Sequence, residues 1–124
     1  MNRNQVCALI VSQPDMLRDG LRALLTAMPQ IEIIGEAGDM TSALRMIQGQ
    51  CPTLVLLDAD LPGDENWNAL RTIKAKWPEI RWIVLANTVE QQQAAGRAGA
   101  DSAPLKGFLA EKLVATIEGL IKQA

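Results

Sequence analysis

The sequence predicts an α/β protein: a doubly wound parallel sheet covered by helices on both faces. Two observations support this prediction. Short β-rich runs alternate five times with stretches of helical period along the 124 residues. The runs also alternate little between apolar and polar residues, which indicates strands that are buried on both faces. Five such units suit a flavodoxin-like five-stranded sheet of order 2-1-3-4-5 with five helices. We therefore expect residues 1–124 to form one domain.

Apolar patterning places each element. The predicted strands are residues 6–11, 31–35, 53–57, 80–85 and a weak fifth run at 102–105. The predicted helices carry their apolar positions within residues 17–28, 43–47, 67–77, 89–98 and 109–120. Asp39 or Thr41 can cap the second helix, which we expect to stop at Gly49. Pro78 ends the third helix and Gly99 ends the fourth.

Composition excludes several classes of function. The net charge is −2 and the chain has no basic run, so we expect no nucleic-acid partner. No stretch approaches the roughly 18–20 apolar residues that span a bilayer, and no signal peptide is recognisable, so we expect a cytoplasmic protein with no membrane partner. The absence of histidine removes the commonest general base and zinc ligand. Cys7 and Cys51 form no metal or redox motif, and we expect free, mostly buried thiols.

Polar residues follow the predicted strands at their carboxyl ends, where ligands bind in sheets of this kind. Ser12 and Gln13 follow the first strand, Asp58 the third, Ala86 the fourth and Lys106 the fifth. An aspartate that faces a lysine can act as an oxygen nucleophile toward a phosphoryl group, while the lysine neutralises charge on the transferring oxygens. A purely structural ion pair at the sheet edge remains the alternative.

Several segments resemble the receiver domains of two-component response regulators, especially those of the NarL type. They are residues 9–11, 17–25, 31–39, 55–63, 83–85, 98–101 and 105–106. The most specific part is an apolar strand that ends in Asp58, with Pro62 and Gly63 four and five residues later. The resemblance extends nearly from end to end and keeps the family spacing.

The resemblance implies roles for particular residues. Asp58 would be the phosphoacceptor and Lys106 the lysine that contacts the phosphoryl group. Mg²⁺ would be held by an acidic pair after the first strand, by the acceptor, and by the backbone carbonyl of Asp60. The implied partner is a sensor histidine kinase or another signalling protein, and the family allows a homodimer. No small-molecule substrate is implied. Phe108 is the best candidate for an exposed interface anchor.

The sequence departs from the family pattern at four positions. Ser12 and Gln13 stand in place of the acidic pair, Ala86 in place of a hydroxyl residue, and Ala103 in place of the aromatic switch residue. Pro104 also lies where a strand residue is expected. Metal binding, phosphoryl stabilisation and readout are therefore all expected to be impaired together.

The changes at the acidic pair bear directly on the metal. Mg²⁺ is a hard ion that is usually held by carboxylates together with substrate phosphate. Asp58 is the only sure charged ligand, while Asp60, Asp15 or Glu65 could partly compensate. We therefore expect no cofactor, or a weakly bound Mg²⁺ on Asp58 and Asp60.

Two interpretations within the family remain open. The favoured one is an atypical receiver that acts as a protein-interaction module with weak Mg²⁺-dependent phosphorylation. The alternative is a conventional phosphorylatable receiver that controls a DNA-binding output domain outside this chain.

Other classes of function have weaker support. Asp58-Ala59-Asp60 resembles the D-x-D motif of haloacid-dehalogenase-type phosphatases, but Pro62 stands where that family has Thr or Val. A cofactor-binding flavodoxin-like module would need a Gly-, Ser- or Thr-rich phosphate loop after the first strand, and the loop from Ser12 to Asp15 has no glycine. We therefore expect no enzymatic activity.

Overall fold

A computed structural model of the chain describes residues 5–107 and 110–122. The strands are β1 (Val6–Val11), β2 (Ile31–Ala37), β3 (Leu54–Asp58) and β4 (Arg81–Leu85). The helices are α1 (Met16–Thr26), α2 (Met40–Gln50), α3 (Asn66–Lys76), α4 (Val89–Ala98) and α5 (Ala110–Lys122). None of these helices is long and apolar enough to cross a membrane. Phe108, the predicted interface anchor, lies outside the described residues.

The four strands form one parallel sheet in the order β2-β1-β3-β4. This order reproduces the first four positions of the predicted topology. Because all four strands run in the same direction, their carboxyl ends lie along one edge of the sheet, which we call the rim. The rim carries the residues that follow β1, β3 and β4.

The segment 102–105, predicted as a fifth strand, is not a regular strand. Ser102 and Leu105 form isolated parallel bridges with β4 and the residue after it. The Ala86 amide donates to the Pro104 carbonyl oxygen at 2.9 Å, but Pro104 has no amide hydrogen to donate in return. The segment therefore lies beside β4, in the predicted place, with an interrupted ladder.

The core has two layers, one on each face of the sheet. Leu9 and Val11 of β1 pack in the cluster that includes residues of α2, α3 and α4. Ala8 and Ile10 pack on the opposite face with residues of α1 and α5. The predicted burial of the strands on both faces is thus confirmed. Trp82 is fully buried in the first layer.

The end of α2 differs from the prediction. Asp39 caps the start of the helix as expected, and its carboxylate accepts the Ser42 amide at 2.7 Å. The helix does not stop at Gly49 but runs to Gln50, and Cys51 takes the left-handed conformation with φ 50°. Pro52 follows and disfavours a right-handed helical backbone at the residue before it. The prediction of a mostly buried thiol is wrong for Cys51, which is exposed at this helix end.

Candidate functional site

Asp58 is the last residue of β3 and lies at the centre of the rim. It is 5% exposed, so its carboxylate needs partners within the protein. Its Oδ1 atom accepts the backbone amide of Asp60 at 2.9 Å. The Nζ atom of Lys106 lies 2.6 Å from the same oxygen. The predicted contact between Asp58 and Lys106 is confirmed.

Lys106 is positioned by the segment that pairs with β4. Its amide donates to the carbonyl oxygen of Ala86 at 2.8 Å. Its ammonium group also lies 2.8 Å from Oδ2 of Asp60, so it bridges two carboxylates. Partial burial lowers the pKa of Lys106, but the bonds to Asp58 and Asp60 outweigh burial and raise it above its ordinary value. Lys106 is therefore a fixed positive charge at the rim.

Asp60 has more partners than the sequence indicated. Its Oδ1 accepts from Gln91 Nε2 at 2.8 Å, and its Oδ2 accepts from Asn87 Nδ2 as well as from Lys106. These bonds, first to Lys106 and then to Gln91, hold the pKa of Asp60 below its usual range. Asp60 thus ties the β3–α3 loop to the start of α4.

From the sequence, Asp60 was assigned a role at a metal ion, or in the less supported D-x-D alternative, but its contacts with Asn87 and Gln91 were not predicted. The available signal was a pair of amide side chains, Asn87 in the turn after β4 and Gln91 in the first turn of α4, close to the end of a strand. In the structure both side chains donate to the Asp60 carboxylate at the rim. The backbone amide of Asn87 also donates to Gln91 Oε1 at 2.6 Å, so the two are linked directly.

The β1 side of the rim is neutral where the family has acids. Ser12 is fully buried, and its hydroxyl donates to the carbonyl oxygen of Gln13 at 3.1 Å. The Gln13 amide group donates to the Gly38 carbonyl oxygen at 3.1 Å. Arg18 Nη2 donates to the Ser12 carbonyl oxygen. A guanidinium group therefore contacts the backbone at the position of the missing acids.

Arg18 belongs to an ion-pair network between α1 and β2. Arg22 binds Glu36 through two bonds of 2.6 Å, and Arg18 Nε lies 3.8 Å from the same carboxylate. The bond to Arg22 holds the pKa of Glu36 below its ordinary value. The Glu36 carboxylate thus balances part of the positive charge beside Ser12.

Ala86 directly follows β4, and Ala103 lies in the segment 102–105 beside it. Ala86 is fully buried and pairs through its backbone with the segment 102–105. Ala103 packs against the core layer of α2, α3 and α4, and its carbonyl oxygen accepts from Gln92 Nε2 at 2.7 Å. Neither methyl group can form the side-chain contacts that a hydroxyl or an aromatic ring would form.

The donor set at the rim does not fit a Mg²⁺ ion. Asp58 and Asp60 are both in contact with the ammonium group of Lys106, which is itself a cation. The predicted substitutes are engaged elsewhere: Asp15 accepts two amides at the start of α1, and Glu65 accepts from the Asn68 side chain at 2.7 Å. Within residues 5–107 and 110–122, no cluster of three or more Cys, Asp or Glu residues could hold a metal ion.

A match to a family model shows the family of this chain. The response regulator receiver domain model matches residues 8–118, so the chain belongs to that family. With the parallel sheet and the Asp58–Lys106 rim, this makes the chain a receiver domain of a two-component response regulator of the NarL/LuxR type. The family predicted from the sequence is confirmed.

Particular relatives support the same assignment. The uncharacterised transcriptional regulatory protein YhcZ of Bacillus subtilis is 33% identical over 110 residues, covering 87% of this chain and 51% of that protein. The nitrate/nitrite response regulator NarL of Escherichia coli K12 is 29% identical over 115 residues, covering 91% of this chain and 53% of that protein. The chain therefore spans about half the length of these relatives.

A solved structure confirms the fold class. A two-component response regulator of the LuxR family from Aurantimonas superposes with a TM-score of 0.86 at 25% identity. The match covers 96% of this chain and 86% of that chain. The flavodoxin-like architecture predicted from the alternation of elements is thus the observed one.

Proposed function

We propose that this receiver domain is an atypical one, which signals through protein contacts with little dependence on phosphorylation of Asp58. The observation behind this proposal is the Lys106 bridge, with Nζ 2.6 Å from Asp58 and 2.8 Å from Asp60. Lys106 thus offsets one of the two carboxylate charges, and the amide groups of Asn87 and Gln91 supply further hydrogen bonds to Asp60. The domain would bind no cofactor, or Mg²⁺ only weakly.

Phosphorylation of Asp58 would meet two electrostatic obstacles. The attacking carboxylate has its Oδ1 engaged by Lys106 and by the Asp60 amide, which stabilise it before reaction. The incoming phosphoryl group adds negative charge, and the neutral side chains of Ser12 and Gln13 recruit no metal ion to offset it. We therefore expect slow and incomplete modification.

Phosphorylation of Asp58 would also cause little conformational change. A modification shifts an equilibrium only as far as it interacts differently with the two states. Ala86 has no hydroxyl to bond a phosphoryl group, and Ala103 has no ring to move into vacated space. A phosphoryl group on Asp58 would lack the contacts that distinguish one state from the other.

The partner proposed for this domain is a sensor histidine kinase or another signalling protein in the cytoplasm, and a homodimer is also compatible with the family. The phosphatase alternative finds no support, because a leaving-group acid must carry a proton and the pKa of Asp60 is lowered by Lys106 and Gln91. We propose that this chain has no enzymatic activity of its own.

Incubation with acetyl phosphate and Mg²⁺, followed by intact mass, tests the proposal. We expect a small modified fraction and no change in oligomeric state by size-exclusion chromatography with light scattering. Asp58→Asn is the specificity control, and Asp64→Asn removes the same charge from an exposed residue of the following loop. Stoichiometric labelling with a shift to dimer, lost in Asp58→Asn and kept in Asp64→Asn, would instead establish a conventional receiver.

A further inference from the structure

We propose that Asp60 acts as an internal substitute for the phosphoryl group and holds Lys106 and the start of α4 in one conformation without modification. This inference rests on the atypical receiver proposed above and names the residue that regulates its site. Asp60 is a positioning residue in this account, since it acts through the groups that it binds.

Donors from three elements converge on the Asp60 carboxylate. Lys106 comes from the segment after Pro104, Asn87 from the turn after β4, and Gln91 from the first turn of α4. Such a set of one cation and two amides is what an anionic oxygen group requires. A phosphoryl group carries three acceptor oxygens and about −1.5 to −2 charge, so it would draw on the same kinds of donor.

The carboxylate is held in a fixed place relative to Asp58. The backbone amide of Asp60 donates to Asp58 Oδ1 at 2.9 Å, and the Leu61 amide donates to the Asp58 carbonyl oxygen at 3.1 Å. These two bonds form a tight turn after β3. The backbone of Asp60 is therefore anchored to Asp58 by bonds that do not involve α4.

Hydrogen bonds hold the start of α4 to the β3–α3 loop on one side and to the segment 102–105 on the other. Gln91 donates to Asp60 and accepts the Asn87 amide, while its own amide donates to Thr88 Oγ1 at 3.1 Å. The next residue, Gln92, donates to the Ala103 carbonyl oxygen at 2.7 Å. The first turn of α4 thus links the β3–α3 loop to the segment beside β4.

A phosphoryl group on Asp58 would have to compete with Asp60 for Lys106. The ammonium group has three N–H donors, and two already face the carboxylates of Asp58 and Asp60. The gain from a new contact would be reduced by the loss of an existing one. Asp60 therefore lowers the ability of any modification at Asp58 to move α4.

Amide hydrogen exchange by NMR tests this role on the unmodified protein. Asp60→Asn keeps the shape of the side chain but removes its charge and one acceptor oxygen. We expect the amides of Asn87 and Gln91, which donate to Gln91 Oε1 and Thr88 Oγ1, to exchange about tenfold faster, the order expected when hydrogen bonds to a charged group are lost. Exchange at Ile10, buried in the core, should stay unchanged, because the loss is local.

Two further variants make the result decisive. Gln91→Ala removes one donor and retains good helix propensity, so it should accelerate exchange at the same amides even if Asp60→Asn folds poorly. Asp64→Asn, in the exposed part of the same loop, should leave them unchanged. If the amides of Asn87 and Gln91 exchange at the wild-type rate in Asp60→Asn, as they should in Asp64→Asn, the role of Asp60 is refuted. The outcome is independent of the acetyl phosphate experiment, so the two proposals can fail separately.

Discussion

The rim has two halves, one around β3 and β4 and one at the end of β1. They differ in which charged side chains of the family pattern they keep. Around β3 and β4, the charged groups Asp58, Asp60 and Lys106 are present and contact one another. At the end of β1, the acidic positions are neutral, and the Arg18 guanidinium contacts the Ser12 carbonyl oxygen. In the acceptor half, one ammonium group faces two carboxylates, and the neutral amides of Asn87 and Gln91 supply the remaining hydrogen bonds to Asp60. Both carboxylates of this half therefore have partners within the described part of the chain, although one unit of negative charge is not neutralised.

The largest expected effect follows from removing the central cation. Lys106→Met leaves the Asp58 carboxylate, 5% exposed, without its ammonium partner. We expect a loss of about 2–3 kcal/mol of unfolding free energy in urea, below the full cost of a buried unpaired charge because the Lys106 side chain is partly exposed.

The exposed Lys112 of α5 provides the matched control, and Lys112→Met should cost far less. Adding Asp58→Asn to Lys106→Met should recover part of the loss, because it removes the unpaired charge. If both lysine variants lose the same stability, the bridge does not contribute as described.

Restoring the acidic pair after β1 should strengthen Mg²⁺ binding at the rim. The double variant Ser12→Asp, Gln13→Asp adds two carboxylates beside Asp58, and we expect Mg²⁺ affinity to rise by about 100-fold, tenfold for each charge contact. The thermal midpoint of the variant should then rise with added Mg²⁺. Ser12→Asn with Gln13→Asn is the neutral control. If Mg²⁺ does not raise the thermal midpoint of the double acid variant, then Lys106 alone is sufficient to prevent Mg²⁺ from binding.

A smaller loss of stability is expected when Arg18, the hydrogen-bond donor on the β1 side of the rim, is replaced. Arg18→Met removes the bond to the Ser12 carbonyl oxygen and the weaker contact to Glu36. We expect a loss of about 1.5 kcal/mol of unfolding free energy in chemical denaturation, the lower end of the range for one hydrogen bond that involves a charged group. The exposed Arg97 of α4 serves as control through Arg97→Met. A loss as large as that of Lys106→Met would remove the contrast between the two halves.

The smallest expected effect is the pH dependence that the Glu36–Arg22 pair gives to the unfolding free energy. The folded pKa of Glu36 is lowered by its bond to Arg22, so the pair stabilises the protein above the unfolded pKa. This contribution is lost as pH falls through the folded pKa. Because the Arg22 side chain is 46% exposed, we expect less than about 1 kcal/mol. Unfolding free energies of wild type and Glu36→Gln should differ at pH 7 and converge in acid; parallel curves would contradict this.

Much of the fold was predictable, because burial sets the pattern of the chain. The bounds of β1 and α4 match their predicted ranges. The contact between Asp58 and Lys106 was also predictable, since both lie at the carboxyl ends of parallel segments, along one edge of the sheet. Strand direction and periodicity were sufficient for these inferences.

The details that escaped prediction depend on single bonds. The effect of Pro104 on the ladder depends on which of its backbone groups faces β4. The convergence of Asn87 and Gln91 on Asp60 depends on side-chain directions at a helix start, which hydrophobic periodicity does not specify. The sequence therefore predicted the charged pair but not the carboxylate that shares its lysine.

Titration of the wild-type protein with Mg²⁺ tests the central claim most directly. Amide NMR shifts of Asp58 and its neighbours report any ion that enters the rim. Since Lys106 already contacts both carboxylates and no acidic pair is present, we predict no saturable shift up to about 10 mM Mg²⁺. A saturable shift with Kd of about 1 mM or tighter would contradict the account, because it would mean that the rim needs a metal ion that its own lysine does not replace.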